Sequence, residues 1–525
     1  MGAENDMSLA ARMATPAKDA RAAEVRAGGA SERELKFMVD ADTVPALLAH
    51  PLAQGETLAR RLRSTYFDTN RREVETAGFG LRVRRDGRIW LQTVKRDLAG
   101  RWPARSEWEW PIRNGSVDLK GLAKTPLAKR LKGKVQSLAP IFTIDVQRQT
   151  RRCRFMDSEI DVAIDIGEID ASGRKEPICE VELELKTGET TSLFLFAQQL
   201  AADVALRLSM ASKAERGYRL AAGDASTPRR ADAIAVDGRM SVGDAFRRAC
   251  TEGLKQIAAN SALVLRSPDP EAIHQLRVGI RRLRTALRTF APALDDMRRA
   301  GAGAGLAWLS EELNQARDID VFLAEAVPVG EESLARLRSA LGQTRAAALE
   351  HARATIRSPR YGQVMLAVAM TLGGGDGVGT KSQRALGAKP IKKFATRALA
   401  EMLAAVRKRA RSLQGADVEA RHQLRIRTKR LRYAAEFFSP LFAARSKTTK
   451  AYLNASAAAQ ESLGAVNDIA TAHGLADGLA STYSAEAAFA FGRAVGRLEA
   501  DEHARLAGAA DAVKALIGAK PFWRS

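Results

Sequence analysis

The sequence predicts a protein of the α+β class, in which an antiparallel β-barrel precedes an all-helical region. Three observations support this prediction. From about residue 31 to 220, short segments alternate charged and apolar residues, as strands with two unlike faces do. From about residue 240 onward, the chain is rich in Ala, Leu and Arg at helical spacing. Within that second region a basic motif occurs twice, which indicates two similar helical bundles.

The length and charge of the chain limit the classes to which it can belong. Its 525 residues are too many for one hydrophobic core, so two or three domains are expected. The net charge of +22 predicts a polyanionic partner: nucleic acid, an acidic membrane surface or polyphosphate. No apolar run reaches membrane-spanning length, so we expect no membrane insertion. Cys153, Cys179 and Cys250 have no metal-ligand or disulfide spacing, which favours a reducing cytoplasm.

Two predicted strands carry acids and a lysine on one face. On residues 32–36 that face holds Glu32, Glu34 and Lys36. Residues 180–186 repeat the pattern with Glu180, Glu182, Glu184 and Lys186. Burying like charges is costly unless cations neutralise them. Either both faces are solvated or they converge on Mg²⁺ or Mn²⁺, and the arginine-rich strands between them favour convergence.

Further alternating segments predict the rest of the barrel. They are residues 64–68, 80–85, 89–95, 107–110 and 161–166. Asp86-Gly87 between two of them predicts a hairpin. Arg82 and Arg84 lie on the same face of their strand, and Glu107 and Glu109 lie on the same face of theirs. A sheet closed with these charged faces inward would form a polar barrel. The alternative is an ordinary sheet with a solvated face. Helices are expected near 121–134 and 190–208, packed on the outside.

Composition divides the chain into segments. The first 30 residues lack the apolar core of a secretion signal and predict a flexible tail. The predicted segments are a tail (1–30), a barrel domain (31–220), a linker (221–238) and a helical domain (239–525). The helical domain divides into halves at about 239–372 and 388–520, around a Gly-rich junction that begins at Gly373.

The repeated helical motif predicts a polyanion site. It runs from His274 to Arg284 and again from His422 to Arg432. The apolar stripes that would face the core comprise Leu276, Ile280, Leu283, Leu287 and Phe290, then Leu424, Thr428, Leu431, Ala435 and Phe438. The basic stripes beside them comprise His274, Arg277, Arg281, Arg284 and Arg288, then His422, Arg425, Lys429 and Arg432. Such cations repel one another unless an anion neutralises them, and arginine forks match phosphate oxygens. The alternative is a solvated basic face.

Nucleic acid is the rival polyanion for these stripes. Base readout brings Asn, Gln or aromatic residues among the basic ones, whereas these stripes are almost purely His, Arg and Lys. We therefore expect no sequence-specific nucleic-acid binding. The acids that follow each motif, Asp318 and Asp468, are expected to orient arginines.

The ordered motifs of the first region resemble the CYTH domain of triphosphate tunnel metalloenzymes. They are ERELK at 32–36, YFDT at 66–69, LRVR at 81–84, TVK at 93–95, RSE at 105–107, DIGE at 165–168, EVELE at 180–184 and SKAERGY at 212–218. The second region resembles the CHAD domain, a histidine-containing helical domain linked to polyphosphate binding. Together the two resemblances cover about residues 31 to 520, in the order found in bacterial inorganic triphosphatases.

The CYTH resemblance implies an eight-stranded antiparallel tunnel that hydrolyses a triphosphate with a divalent metal. It implies that the metal is held by Glu32, Glu34, Glu182 and Glu184, with Asp165 and Glu180 as further candidates. It implies that phosphates are bound by Lys36, Arg82, Arg84, Lys95, Arg105, Arg148, Lys213 and Arg216. It implies that the catalytic residues are Glu34, Lys36, Arg105 and Glu182. An oxygen-only ligand set favours Mg²⁺ or Mn²⁺ over Zn²⁺.

These expectations define a leading hypothesis and two alternatives. The leading one is a cytoplasmic, metal-dependent inorganic tripolyphosphatase, whose helical domain binds long-chain polyphosphate and could dock the enzyme on polyphosphate granules. The first alternative is a polyphosphate-binding scaffold with a nearly inactive tunnel. The second is cyclisation of ATP, or hydrolysis of thiamine triphosphate, ATP or another nucleoside triphosphate.

Overall fold

The computed structural model describes residues 30–524, apart from 98–101, 225–226, 233, 235, 373–378 and 412–416. The predicted tail up to residue 29 and most of the Gly-rich junction lie outside the described residues. The strands are β1 (Ala30–Met38), β2 (Thr57–Asp68), β3 (Phe79–Asp86), β4 (Ile89–Asp97), β5 (Ala104–Ile112), β6 (Ala139–Phe155), β7 (Ser158–Ala171), β8 (Arg174–Thr187) and β9 (Arg207–Leu208). The helices among them are α1 (Val44–Ala49), α2 (Glu73–Thr76), α3 (Leu119–Leu122), α4 (Pro126–Leu131), α5 (Thr190–Asp203) and α6 (Lys213–Ala222).

The first eight strands form a closed antiparallel barrel, as expected. Their order is β5-β4-β3-β2-β6-β7-β8-β1, and β1 closes the ring by pairing with β5. The short β9 adds to the end of β1. The register sets Lys36 opposite Glu182, and Asp165 lies opposite both Arg148 and Glu180. Residues on directly opposed positions share a face of the sheet, so this register brings acids and bases together inside the barrel.

The apolar faces of the strands point outward, where helices cover them. Leu35 and Val181 are fully buried in the cluster that also contains Phe196 of α5. Leu81 and Trp110 pack with Leu127 and the other apolar residues of α2 to α4. Burying one such side chain contributes roughly 1.5–3 kcal/mol. Most of the hydrophobic core therefore lies around the barrel, whereas the interior is rich in charged groups, with an apolar patch of Leu62, Ile144 and Val146 on β2 and β6.

One predicted helix is shorter than expected. The helix predicted near 190–208 ends at Asp203, and the chain continues as an extended segment into β9. Val204, Leu206 and Leu208 are each buried, which is the period-two pattern of a strand and not of a helix. After this segment, α6 begins at a capping box in which Ser212 accepts a hydrogen bond from the backbone of Glu215. The sequence analysis did not predict α6.

The second region is helical, as predicted. Its helices are α7 (Val242–Val264), α8 (Pro270–Thr289), α9 (Asp296–Glu312), α10 (Asn314–Ala326), α11 (Ala335–Arg357), α12 (Pro359–Met370), α13 (Lys381–Gly387), α14 (Ile391–Ala410), α15 (Val418–Phe438), α16 (Ser446–Leu479), α17 (Ala485–Ala500) and α18 (Glu502–Gly518). Both predicted apolar stripes are buried on α8 and α15. Within the described residues, no helix combines the length and apolar composition that crossing a membrane requires.

The internal duplication is visible in the order of the helices. The pair α7–α8 in the first half corresponds to α14–α15 in the second, and each pair carries one copy of the basic motif. The helices α9 and α10, which meet at Leu313, correspond to the single long helix α16.

The two regions share one hydrophobic cluster. Helix α12 packs on α5 and β9, and Gly362 approaches the backbone of Leu206 so closely that a Cβ atom would lie 2.3 Å from its carbonyl oxygen. The connecting segment is held in place as well, since Val236 is buried and Asn260 of α7 exchanges two hydrogen bonds with the backbone of Arg229. Because these contacts cross the boundary, the barrel and the helical region pack as neighbours with a common core.

Candidate functional site

The interior of the barrel is a cavity of about 1960 Å³. All eight barrel strands contribute to its lining, which contains as many acidic as basic side chains. At one end, which we call the α6 mouth, the lining includes Ser212 and Lys213 at the start of α6. At the other end, the far mouth, it includes Arg60, Asp86 and Arg152. A balanced polar lining suits a ligand that is itself charged and associated with counter-ions.

Three carboxylates converge on the β7–β8 side of the tunnel. One oxygen each from Asp165, Glu180 and Glu182 lie within 4.8 Å of one another. Asp165 and Glu180 are fully buried. The register explains the convergence, because Asp165 lies directly opposite Glu180 and Glu182 is two residues further along the same face of β8. We call these three residues the acid cluster.

Lysine ammonium groups hold the acid cluster together. Lys213 Nζ lies 2.7 Å from Asp165 and 2.8 Å from Glu182, and it also contacts Glu180. Lys36 Nζ lies 3.0 Å from Glu182 and 3.6 Å from Glu180. Glu180 Oε1 is buried and has these ammonium groups beside it, yet it accepts no well-aligned hydrogen bond. Glu180 is not itself among the cavity-lining residues, so a metal ion would reach this oxygen only by displacing one of the two ammonium groups.

Arg148 supplies the guanidinium of this centre. Its Nε and Nη2 both donate to Asp165 at 2.6 Å, and Nη2 also donates to Glu182. Burial disfavours ionisation of Glu182, but Lys213, Lys36 and Arg148 outweigh it and hold the pKa of Glu182 well below its usual range. The pKa of Asp165 is lowered in the same way, against its burial, by Lys213 and Arg148. Both carboxylates are thus ionised and paired at neutral pH.

A second group of acids lies on β1. Lys95 donates to Glu32 at 2.9 Å, and Arg105 Nη1 lies 3.4 Å from Glu34. Lys36 is 3.6 Å from Glu34, so this lysine connects the β1 acids to the acid cluster. The sequence analysis expected Glu32 and Glu34 in the metal site, and the structure sets them beside the acid cluster, each with a cation of its own.

Glu184 is at the edge of this arrangement. It lines the cavity and pairs with Lys186 at 2.7 Å, and it lies opposite Glu34 in the register. Burial raises the pKa of Glu184 above its usual range. The acids that converge most closely are therefore Asp165, Glu180 and Glu182.

Arginines of β3 form the opposite wall. Arg82 Nε donates to Thr93 at 3.2 Å, and the Thr93 hydroxyl donates to Glu109 at 2.8 Å. Arg84 Nε lies 3.4 Å from the Ser64 hydroxyl. Burial and the neighbouring arginines lower the pKa of Arg84 to about 10, which marks it as a cation without a close carboxylate. An anion in the tunnel would relieve this repulsion.

Arg216 is positioned differently from the other predicted phosphate ligands. Its Nε donates to Glu176 at 2.8 Å, Nη1 to Glu180 at 2.9 Å and Nη2 to the Pro177 carbonyl at 2.8 Å. It is buried and is not among the residues that line the cavity. This arginine holds α6 and the acid cluster together from behind.

Several lining residues were not singled out by the sequence analysis. Ser64 and Tyr66 of β2 face the cavity, and Tyr66 stacks on Phe142 with ring centroids 4.7 Å apart. Phe79 and Trp102 also line the cavity, where Arg96 lies over the Phe79 ring and Trp102 packs edge-on against Phe194 of α5. Alternation along residues 64–68 was a signal for the first pair, whereas nothing in the sequence indicates that Trp102 reaches the cavity.

A second charged site lies on the helical region, where α8 and α15 meet. Its cations are Arg277, Arg281, Arg284, Arg288, Arg425, Arg427, Lys429 and Arg430, which we call the α8/α15 surface. Burial lowers the pKa of Lys429 to about 6, and Arg425 and Arg281 contribute. Burial likewise lowers the pKa of Arg430 to about 10, with contributions from Arg288, Arg427 and Arg284. The two copies of the motif thus form one continuous basic surface.

Buried donors without partners mark this surface. Among the described residues, the following atoms are buried without a hydrogen-bond acceptor: the Nε atoms of Arg277, Arg281, Arg425, Arg427 and Arg430, and Nδ1 of His274. Buried polar groups are almost always paired in native proteins. A ligand rich in acceptor oxygens would satisfy several of these groups together.

The two histidines of the motif differ in their surroundings. His422 Nδ1 lies 2.9 Å from Asn467 Oδ1. His274 Nδ1 has no such partner in the described residues, and burial together with Arg317 lowers the pKa of His274 to about 4. Arg432 is also apart from the surface, since it pairs with Glu436 of its own helix at 2.8 Å. The sequence predicted His274 and His422 as equivalent ligands, but the two side chains lie in different environments.

The two acids expected to orient arginines lie beneath the surface. Asp468 is 3.9 Å from Arg425, and Asp318 lies in the electrostatic range of Arg277. Burial raises the pKa of both carboxyls.

Family comparisons agree with this architecture. A CYTH domain model matches residues 30–218, and a CHAD domain model matches residues 248–477. The chain is therefore a two-domain protein, a CYTH domain followed by a CHAD domain, which confirms the resemblance stated above.

Individual relatives are more distant. The chain is similar to an inorganic triphosphatase of Haemophilus influenzae, with 32% identity over 168 residues, 30% of this chain and 46% of that protein. It thus spans about half the length of this curated relative. It is also similar to the CHAD domain of the plant Ricinus communis, with 34% identity, 56% of this chain and 98% of that chain covered, and a TM-score of 0.49. For a putative adenylyl cyclase from Hippeastrum, described as having a dominant triphosphatase activity, the identity is 15%, the coverage 36% and 95%, and the TM-score 0.29.

Proposed function

We propose that the CYTH tunnel hydrolyses inorganic tripolyphosphate with Mg²⁺ or Mn²⁺ and that the CHAD domain binds long-chain polyphosphate. The observation that carries the proposal is the closed tunnel in which the acid cluster is held by Lys36, Lys213 and Arg148 and is faced by Arg82 and Arg84. The similarity to an inorganic triphosphatase supports the choice of reaction.

The acid cluster fits a hard divalent cation. Its donors are carboxylate oxygens only, three of them lie within 4.8 Å of one another, and Glu180 Oε1 has no aligned hydrogen bond. Asp165, Glu180 and Glu182 would hold the metal, with Glu34 nearest to them on β1. When bound, such an ion would supply Lewis-acid stabilisation of charge on the phosphate oxygens.

The cations of the tunnel would bind the substrate by exchanging partners. Lys36, Lys213 and Arg148 each pair with the acid cluster, so a cation that binds those acids frees the same three side chains for phosphate oxygens. Arg82 and Arg84 would fix the chain from the opposite wall, where Arg84 has no close carboxylate. Fixing the chain in line and neutralising its charge are the two requirements for attack by water on a phosphoanhydride.

The role of Glu182 follows from its ionisation. Because Lys213, Lys36 and Arg148 hold its pKa low in spite of burial, Glu182 is a weak proton acceptor and is suited to binding cations. We therefore assign it to the metal and to the positioning of Lys36 and Lys213.

The test is phosphate release by the full chain. Tripolyphosphate, long-chain polyphosphate, ATP and thiamine triphosphate are compared with Mg²⁺, with Mn²⁺ and with chelator. We expect metal-dependent release that is fastest with tripolyphosphate, and a loss of about 10²–10³-fold in Glu182→Gln, as for the removal of one charge-stabilising group. Glu168→Gln is the matched control, because Glu168 is on β7, is half-buried and pairs with Lys175 outside the cavity.

Two results would contradict this proposal. Metal-independent release, or equal rates in Glu182→Gln and wild type, would remove the tunnel as the active site. No turnover combined with tight binding of long-chain polyphosphate would favour the scaffold, which the unpartnered donors of the α8/α15 surface also support.

A nucleotide substrate is the second enzymatic candidate. Trp102 is among the residues that line the cavity and is an aromatic side chain on which a base could stack. Faster release from ATP or thiamine triphosphate than from tripolyphosphate, lost in Trp102→Ala, would establish this candidate. As part of the leading proposal we assign the protein to the cytoplasm, to which its free cysteines are suited, with polyphosphate granules as a source of long chains.

A further inference from the structure

The lining of the tunnel cavity is not confined to the barrel. Arg248, Thr251, Glu252 and Lys255 of α7 line the same cavity as the tunnel residues. Their spacing places them on one face of the helix. The CHAD domain therefore contributes side chains to the space in which the tunnel ligand would lie.

Two ion pairs locate this face of α7 at the α6 mouth. Arg266, just beyond the end of α7, lies 4.0 Å from Glu176 at the start of β8. Arg229, which follows α6 in the chain, lies 3.7 Å from Glu252. Since the start of β8 and α6 are both at the end of the barrel that carries Lys213, the α7 face lies beside that end.

Positive charge dominates on this face. Lys255 keeps 27% of its side chain exposed and lies 3.6 Å from Glu252, but the Glu252 carboxylate is shared with Arg229. Arg248 is half-buried and lies within electrostatic range of Asp237, but among the described residues it forms no ion pair. On the face of α7 that lines the cavity, Arg248 and Lys255 therefore outnumber the one acid, Glu252, which also pairs with Arg229.

The size of the cavity agrees with an additional subsite. Pockets for small ligands usually measure about 300–1,000 Å³, and this cavity measures about 1960 Å³. A three-phosphate ligand at the acid cluster would fill only part of a cavity of this volume, whose lining extends to α7. A longer phosphate chain would continue through that space and pass the α7 face.

We propose that Arg248 and Lys255 form an outer phosphate subsite at the α6 mouth, which binds linear phosphate chains longer than tripolyphosphate. The proposal rests on the proposed function of the tunnel and extends it to a preference for chain length. The CHAD domain then acts on the tunnel directly, through α7, in addition to its α8/α15 surface. Arg248 and Lys255 are binding residues in this scheme, since they contact phosphates beyond the reacting group.

The test compares substrates of different length in the full chain. The double variant Arg248→Ala/Lys255→Ala is assayed for phosphate release from tripolyphosphate and from tetrapolyphosphate or longer chains. We expect KM for the longer chains to rise by about tenfold, as for the loss of charged hydrogen bonds, while KM for tripolyphosphate and kcat change by less than about twofold. The matched control is Arg247→Ala/Lys393→Ala, which removes the same charges from exposed or half-buried positions outside the cavity.

The outcomes separate this inference from the proposed function. Equal losses on short and long substrates, equal losses in the control, or no change in KM for long chains would each overturn the outer subsite while leaving the tunnel enzyme intact. If the wild type hydrolyses no phosphate chain, the proposed function fails, and the subsite is tested by labelling. Tetrapolyphosphate, but not tripolyphosphate, should then protect Lys255 from an amine-acylating reagent, measured by mass spectrometry against Lys393, and absence of protection would overturn the subsite.

Discussion

The tunnel and the α8/α15 surface are both rich in cations, but they stabilise these cations in opposite ways. In the tunnel, Lys213 and Arg148 are embedded among carboxylates, which raises the pKa of both groups against their burial. On the α8/α15 surface, burial and neighbouring arginines lower the pKa of Lys429, and several guanidinium donors lack partners. The first arrangement is a preformed ion network that a metal and a phosphate chain can enter together. The second is a repulsive surface that an anion relieves without a metal.

The largest test of this contrast removes a cation from the tunnel. Lys213→Met leaves Asp165 and Glu180, both fully buried, without their nearest ammonium group. Removing one partner of a buried ion pair leaves the other charge unpaired and destabilises proteins by about 3–5 kcal/mol. We expect a loss of this size in the free energy of unfolding, measured with denaturant at neutral pH. Lys175→Met, at an exposed pair with Glu168, is the control and should cost less than about 1 kcal/mol. Equal losses in the two variants would show that the network is not preformed.

The next test removes cations from the helical surface, where the opposite result is expected for stability. In Arg281→Gln/Lys429→Gln, the free energy of unfolding should be unchanged or should rise, because Arg281 repels the neighbouring Arg277 and Arg425 and burial disfavours the charged form of Lys429. The affinity for long-chain polyphosphate, measured in chelator by titration, should fall by about tenfold or more, because charged hydrogen bonds are lost.

The control for the surface is Lys408→Gln/Arg409→Gln, which replaces the same two residue types at exposed positions of α14. Raising the salt concentration should weaken binding in the wild type more than in the double variant, since fewer charges remain to be screened. Binding that is unaffected by Arg281→Gln/Lys429→Gln would move the polyphosphate site elsewhere.

The smallest expected effect is a pH dependence specific to the surface. Lys429, with a pKa lowered to about 6 mainly by burial, is largely neutral at pH 7 in the free protein. A polyanion favours the charged form, so binding takes up a proton, and affinity should rise as pH falls from about 8 to 6. His274, with a pKa lowered to about 4, extends this rise at lower pH. The charged groups around Lys429 are Arg425, Arg281, Asp468 and Arg277, and neither arginine nor aspartate side chains ordinarily titrate between pH 8 and 6.

Lys429→Arg isolates this contribution, because arginine stays charged throughout the range. The variant should bind polyphosphate more tightly than wild type by a few-fold at pH 8, and its affinity should vary less between pH 8 and 6. The measurement is polyphosphate affinity between pH 8 and 6 at constant ionic strength, with Lys393→Arg as the control. A variant with the slope of the wild type would assign the pH dependence to other groups.

Sequence patterns predicted most of the barrel, because its strands are unusually easy to recognise. Alternation alone gives Glu32, Glu34 and Lys36 on one face, and the closed barrel turns that face inward. The grouping of Asp165 with Glu180 and Glu182 needed the register between β7 and β8, which alternation within one strand does not contain. The orientation of Arg216 could not be predicted for a different reason. Arg216 lies on a helix, and a rotation of that helix by one residue decides whether its side chain points into the cavity or lies behind the acid cluster.

The helical surface shows the same limit. Spacing on α8 and α15 predicted the two apolar stripes, which are buried, whereas Arg432 of the predicted basic stripes pairs with Glu436 of its own helix. Arg427 and Arg430 lie off the predicted stripe and join Arg284 and Arg288 only because the two helices meet side by side. The contribution of α7 to the tunnel lining depends on packing between the two domains, for which a single sequence carries no periodic signal.

The close contact between Gly362 and the backbone of Leu206 has a consequence for how these domains can be separated. Any side chain at position 362 would press on a carbonyl oxygen, so α12 sits on the barrel at a distance that only glycine permits. Cutting the chain after residue 220 would strip α12 from α5 and β9 and expose to water the apolar surface that they share. The barrel is therefore a poor candidate for transplantation as an autonomous module, and a recombinant fragment that ends there should aggregate unless that surface is redesigned.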